Sequence, residues 1–256
     1  MIKKPIAYQL YSAREEAAKD LDSVLSSLKA LGYDGVEFAG FYGHSAEEIK
    51  AMLKKHNLVP ISSHLGLPES DEAMRNIIAY HKAVGCQYMA VPGLSEEARP
   101  GGKGFAKTLA AMHHFARLIK EAGMTLLYHN HDFEFIQISG QYGLDFMFDA
   151  IPADLLETEI DVCWVKYAGI DPAAYIRQYA NRCPLIHLKD YVGEQAQGTF
   201  EDRPVGYGCQ DISSIVTAGL ESGVKWFVVE EDDSPTHTPI PDAKKSIETL
   251  KALHLK

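Results

Sequence analysis

The feature that most limits what this chain can fold into is a unit that recurs along it: an amphipathic helical stretch, a Gly or Asn stop, and a short apolar run. Gly32 precedes Gly35-Val36-Glu37-Phe38, Asn57 precedes Leu58-Val59-Pro60-Ile61, and Gly85 precedes Tyr88-Met89-Ala90-Val91. Gly123 and Gly223 precede Met124-Thr125-Leu126-Leu127-Tyr128 and Trp226-Phe227-Val228-Val229 in the same way. Gly and Asn accept the left-handed conformation that closes a helix. Runs this short and apolar fit strands buried on both faces of a parallel sheet. Between them, Leu21, Val24, Leu25, Leu28 and Leu31 fall at three- and four-residue steps and form one apolar stripe. Ser45-Ala46-Glu47-Glu48 reads as a helix N-terminus, a capping hydroxyl followed by early acids.

Strand positions are expected near Ile6–Leu10, Val36–Phe38, Val59–Ser63, Tyr88–Val91, Thr125–Asn130, Leu156–Asp161, Leu185–Leu188 and Phe227–Glu230, each followed by a helical pattern. Spread over the chain, that is about 32 residues per unit, the spacing of a (β/α)8 TIM barrel. No linker or low-complexity stretch interrupts the pattern, so one domain over residues 1–256 is expected. A doubly wound open sheet usually has fewer strands and a Gly-rich turn after the first. Here the first strand runs into Gln9-Leu10-Tyr11-Ser12, without glycine.

The formal net charge of −10 speaks against nucleic acid as a partner, since phosphate backbones are recognised by basic faces. No apolar run has the length of a membrane span. The opening MIKKPIAYQLYS has no apolar core or small-residue cleavage site of a signal peptide, so a cytoplasmic protein is expected. A homo-oligomer is compatible with all of this. Cys86, Cys163, Cys183 and Cys209 make no C-x-x-C pair, which points to free, buried thiols and away from a structural zinc site.

In such barrels the chemistry lies at the C-terminal ends of the strands. There this chain places Glu37, His64, the run His129-Asn130-His131-Asp132-Phe133-Glu134, then Glu159 and Asp161, His187-Leu188-Lys189-Asp190, and Glu230-Glu231-Asp232-Asp233. Charged or imidazole groups at the ends of buried strands must find partners or a cation. Carboxylates mixed with imidazoles suit a divalent metal, with Mn, Mg, Co, Zn and Fe all eligible. Alone, His187 reads as a satisfied core histidine; beside Asp161 and Glu230 on neighbouring strand ends, the ligand reading is stronger. Glu230 directly follows the buried Val228-Val229, whereas Asp232 and Asp233 read as a solvated acidic loop.

The chain resembles the sugar phosphate isomerase/epimerase group of the xylose-isomerase-like TIM barrels, which also contains inosose dehydratases. The resemblance rests on Gln9-Leu10-Tyr11-Ser12, Gly32 to Phe38, Ser63-His64, His129 to Phe135, Asp161-Val162-Cys163-Trp164, His187-Leu188-Lys189-Asp190 and Val229-Glu230, in order through nearly the whole chain. It implies one divalent ion held by Glu, Asp, His and Glu from strands five to eight. Asp161, His187 and Glu230 match the last three. Many relatives carry Glu where this chain has His129; Glu134 is taken as the compensating carboxylate, with His129 the rival ligand.

Glu37, His64, His129, His131, Trp164 and Lys189 are then substrate-contact candidates, each weighed against ordinary packing or ion pairing. Tyr11, Phe41 and Tyr42 are candidates for the pocket wall beside Trp164. The expected chemistry is proton transfer next to the carbonyl of a ketose, keto-sugar or sugar phosphate, with Glu134 or Glu230 as general base and the ion stabilising an enediolate. Two acids on opposite faces give epimerisation, and one shuttling acid gives isomerisation. Loss of a β-hydroxyl gives the dehydratase alternative on a keto-inositol or 3-keto sugar. A metal-dependent phosphodiesterase would call for several ions and a basic face, and a non-catalytic sugar-binding barrel would not require this set of carboxylates.

Overall fold

The computed structural model describes residues 4–194, 197–232 and 237–253. Eight parallel strands form the central sheet: β1 (Ile6–Gln9), β2 (Gly35–Phe38), β3 (Val59–Ser63), β4 (Tyr88–Val91), β5 (Thr125–His129), β6 (Leu156–Asp161), β7 (Leu185–Leu188) and β8 (Trp226–Val229). Each pairs with its chain neighbours except β3 with β4, and β8 pairs with β1 through Ile6↔Phe227, Ala7↔Val228 and Tyr8↔Val229. The seam between β3 and β4 is closed by the bridge His64↔Ala90 and by Gln87 N–H donating to Ile61 O at 3.3 Å. The sheet is therefore a barrel, with every expected strand present and end points differing by a residue at most.

Helices α1 (Arg14–Leu31), α2 (Ala46–His56), α3 (Asp71–Val84), α4 (Phe105–Glu121), α5 (Gly143–Ala150), α6 (Val162–Tyr167), α7 (Pro172–Gln178), α8 (Ile212–Glu221) and α9 (Pro239–Ala252) wrap the barrel. The expected helix stops at Gly32, Asn57, Gly85, Gly123 and Gly223 all take positive φ. Asn57 does so at φ 51, handing α2 directly to β3. Ser45 and Glu48 cap each other reciprocally at the start of α2, a box that satisfies two otherwise orphaned N–H groups. The units after β5 and β6 are less regular. A two-stranded hairpin, Gln137–Ile138 with Gln141–Tyr142, precedes the short α5, and α6 and α7 share the place of one longer helix. After β7, a second hairpin, Asp190–Val192 with Glu201–Arg203, stands over the barrel mouth.

There are two apolar cores. The larger fills the space between strands and helices, including Tyr8, Leu25, Val36, Met89, Phe115, Tyr128, Ile186 and Phe227. The smaller lies inside the barrel and consists of Ala7, Ile61, Tyr88, Ala90, Leu127, Leu185 and Val228, with Trp226 packed against it. Gly35 belongs to this crowded floor: a Cβ there would come within 2.7 Å of Val59 O and 3.1 Å of the Trp226 ring. The inner cluster plugs the barrel, and the polar strand ends stack above it.

Candidate active site

Alternate residues of a strand face the barrel axis. One step above the plug these are Gln9, Glu37, His129, Glu159 and His187, joined by His64 just past β3. The next inward positions are His131, Asp161, Lys189 and Glu230, and Asp232, two residues on from Glu230, also lines the cavity.

In the lower layer Gln9, Glu37, Glu159 and His187 are sealed from solvent, while His64 and His129 reach the cavity above. Gln9 Nε2 donates to Glu37 Oε2 at 2.8 Å, and the same oxygen lies 2.6 Å from His187 Nε2. His64 Nε2 sits 2.8 Å from Glu159 Oε2 and 3.4 Å from Glu37 Oε2. His129 Nδ1 is 3.4 Å from Glu159 Oε2. The His64 ring stacks on His187 at 5.3 Å and 12°. Burial and the nearby Glu159 push the Glu37 carboxyl up. Burial also opposes charge on Glu159, but His187 and His64 beside it hold its carboxyl well below the ordinary value. Burial disfavours a charged His64 too, and Glu37 and Glu159 outweigh it and raise its pKa. His129 goes the other way, driven well down by burial and by His187.

The upper layer gathers acids around one ammonium group. Lys189 Nζ, almost fully buried, lies 2.6 Å from Asp232 Oδ2, 3.1 Å from Glu230 Oε2 and 3.2 Å from Asp161 Oδ2. Glu230 Oε2 is also 2.8 Å from His187 Nδ1. Asp161 caps α6: its Oδ1 accepts from the N–H groups of Cys163 at 2.8 Å and Trp164 at 3.2 Å. Its Oδ2 is buried without a hydrogen-bond partner, turned toward Lys189 and, at 3.7 Å, His129 Nε2. Burial lifts the Asp232 carboxyl to about 6, although Lys189 pulls against the rise. Burial and Lys189 lower His131 to about 4.

One ligand atom from each of His129, Asp161, His187 and Glu230 lies within 4.8 Å of the others. Two imidazoles and two carboxylates, one with a buried oxygen that makes no hydrogen bond, fit a divalent ion. A second, overlapping group, His64, His129, Glu159 and His187, lies one layer deeper. Above both opens a cavity of about 530 Å³ lined by Tyr11, Arg14, His64, His129, His131, Lys189, Glu230 and Asp232, among others. That volume suits a small molecule.

Most of the residues singled out in the sequence meet here, with differences of position. Glu134, expected as fourth ligand and base, does not reach the group. The 3-10 turn Phe133–Phe135 swings it toward the outer core, where Oε1 accepts from Tyr128 Oη at 2.6 Å and Oε2 from His131 N–H at 2.8 Å. His129 stands in its place. Glu37, expected to contact substrate, is fully buried beneath His187 and does not line the cavity. Trp164 stands behind the wall, 5.5 Å from the His131 ring and from Lys189 Nζ, and stacks on Phe200 at 4.9 Å. Tyr11 does line the cavity, while Phe41 packs between Phe38 and Tyr80. Arg14, Glu159 and Asp232 were not assigned from sequence. For Glu159 the signal was available: it lies two residues before the expected ligand Asp161 on β6, and so on the same face of that strand. Asp233 lies outside the described residues.

Residues 25–253 match the family model described as xylose isomerase-like TIM barrel. The inosose dehydratase of Geobacillus kaustophilus (strain HTA426) is 24% identical over 269 residues, covering 90% of this chain and 87% of its own. A sugar phosphate isomerase/epimerase from Parabacteroides distasonis superposes with a TM-score of 0.82 at 23% identity, over 100% of this chain and 96% of that one. The IolI protein with a bound zinc atom superposes at 0.77 with 15% identity, over 97% of each chain.

Proposed function

Since the chain belongs to the xylose isomerase-like TIM barrel family, we propose that this enzyme removes a proton next to the carbonyl of a polyhydroxy ketone and expels the neighbouring hydroxyl as water. This is a lyase reaction of the inosose dehydratase kind. His129, Asp161, His187 and Glu230 hold one divalent ion, and their mixed donor set suits Mn, Fe, Co or Zn better than Mg. When bound, the ion supplies Lewis-acid polarisation of the carbonyl.

The observation that carries the reading is the division of the cavity wall. Carboxylates reach it from the β8 side as Glu230 and Asp232, and imidazoles from the β3 and β5 side as His64 and His131. Glu230 is held by His187 and Lys189, and Asp232 is outside the ion-binding set. Asp232 Oδ2 is engaged by Lys189, so Oδ1 is the atom that accepts the proton. Lys189 Nζ faces the negative charge that develops as the proton leaves. His64 commits Nε2 to Glu159 and Glu37 and offers Nδ1 to the departing hydroxyl. Epimerisation needs acid–base groups on both faces of one carbon. With Glu134 withdrawn, the two carboxylates that line the cavity, Glu230 and Asp232, both come from the β8 side, so no carboxylate faces them across the substrate. This favours elimination over the isomerase or epimerase reaction expected from sequence.

The test is incubation of metal-loaded enzyme in deuterated water with keto-inositols, 3-keto sugars and ketoses, followed by mass spectrometry and NMR. Loss of water from one of them supports the proposal. A stereoisomer or positional isomer of unchanged composition means an isomerase or epimerase instead. Substrates that all keep their α-hydrogens refute both.

A further inference from the structure

We propose that Glu37 and Glu159 are positioning residues: a pair of buried carboxylates, cross-linked by His64, that aims the inner nitrogens of His187 and His129 downward and so presents their outer nitrogens to the metal ion. The inference rests on the metal centre proposed above and assigns a role to the layer beneath it.

Each imidazole of the ion-binding set has one nitrogen toward Asp161 and Glu230 and the other toward a buried carboxylate. His187 Nδ1 lies 2.8 Å from Glu230 Oε2, and its Nε2 lies 2.6 Å from Glu37 Oε2. His129 Nε2 faces Asp161 Oδ2 at 3.7 Å, and its Nδ1 faces Glu159 Oε2 at 3.4 Å. A carboxylate accepting the N–H of one ring nitrogen fixes the tautomer and leaves the other with its lone pair free for a cation. Both Glu37 and Glu159 are fully buried and absent from the cavity wall, so a substrate does not touch them. Two carboxylates side by side in a dry interior repel each other unless a donor stands between. His64 Nε2 is that donor, within 3.4 Å of an oxygen of each, and the stack of its ring on His187 keeps the pair in register. Gln9 Nε2 adds a second donor to Glu37. The arrangement also gives a use to the deeper group His64, His129, Glu159 and His187: it braces the ligands and does not hold an ion of its own.

Cobalt(II) titration of the metal-stripped full chain tests this, with binding followed by calorimetry and visible absorption. Wild type is expected to bind one ion. Glu37→Gln and Glu159→Gln are each expected to bind one ion about 10- to 100-fold more weakly, with a shifted cobalt absorption band because one imidazole has turned. A purely structural role would lower the thermal midpoint and leave affinity and band unchanged well below it, which would overturn the proposal. Two ions per chain in wild type, falling to one in Glu159→Gln, would also overturn it, since Glu159 would then be a ligand. A wild type that takes up no cobalt overturns the metal centre together with the brace. If both variants fail to fold, nitrogen NMR of zinc-loaded wild type decides. Protons on His187 Nε2 and His129 Nδ1 support the brace, and protons on the opposite nitrogens refute it.

Discussion

The ends of β5 and β8 each carry a glutamate that sequence places at the metal site, and only one arrives there. After β8, Glu230 N–H still donates to Leu188 O at 3.3 Å, and Glu230 and Asp232 both turn inward and meet Lys189 at 3.1 and 2.6 Å. After β5 the chain turns at Phe133–Phe135, and Glu134 ends on the outer side of the barrel against Tyr128. The difference shows that a strand's period of two carries a side chain to the axis only as far as the extended conformation lasts. Within that reach residue type decides what the site contains, and beyond it the local turn does.

The strongest way to break this comparison is to exchange the fates of the two glutamates. Glu230→Ala is expected to remove the bound ion and with it measurable turnover, as read by metal analysis and a substrate-depletion assay. If Glu134→Gln did the same, the placement of Glu134 would be wrong. Asp232→Asn sharpens the comparison one step further out. It is expected to keep the ion but to lower kcat by about 10²–10⁴-fold, the usual contribution of a general base. Full activity in that variant would return Asp232 to the role of a loop acid. Removing the ion from wild type with a chelator should abolish turnover, and Mn, Co or Zn should restore it.

The smallest effect belongs to Glu134→Gln, with ion content and turnover unchanged. Its signature is in stability. Burial raises the folded-state carboxyl from 4.5 to about 7, so the folded protein holds this proton more tightly than the unfolded chain does. The associated stabilisation is complete below the unfolded value and is lost as pH rises through about 7. Gln cannot ionise. Between those two pH values wild type should lose stability relative to Glu134→Gln, measured as the difference in denaturant midpoints.

The same reasoning explains what was legible in the sequence. The barrel was, because the helix stops at Gly32, Asn57, Gly85, Gly123 and Gly223 and the apolar runs after them are local signals, and local geometry satisfies them. The strand-end positions of Asp161, His187 and Glu230 were, because each lies within a residue of the end of its strand and could be placed without knowing its neighbours. The withdrawal of Glu134 was not, since it depends on a three-residue turn, although His129 already stood as the rival ligand. Nor was the depth of Glu37. Which layer an inward residue occupies depends on the stagger between neighbouring strands, and β2 shifts register against β3 at Val36/Glu37. Asp232 was missed because a run of four acids beyond the end of a strand reads as a loop.

The apolar plug formed by Ala7, Ile61, Tyr88, Ala90, Leu127, Leu185 and Val228 has a consequence for traffic. It makes the barrel a cul-de-sac among the described residues, open only at the mouth that Tyr11, Arg14 and Asp232 help to line. Whatever enters must back out the way it came. Under the proposed elimination, a water molecule released at the inner wall would wait behind the product until that product had left.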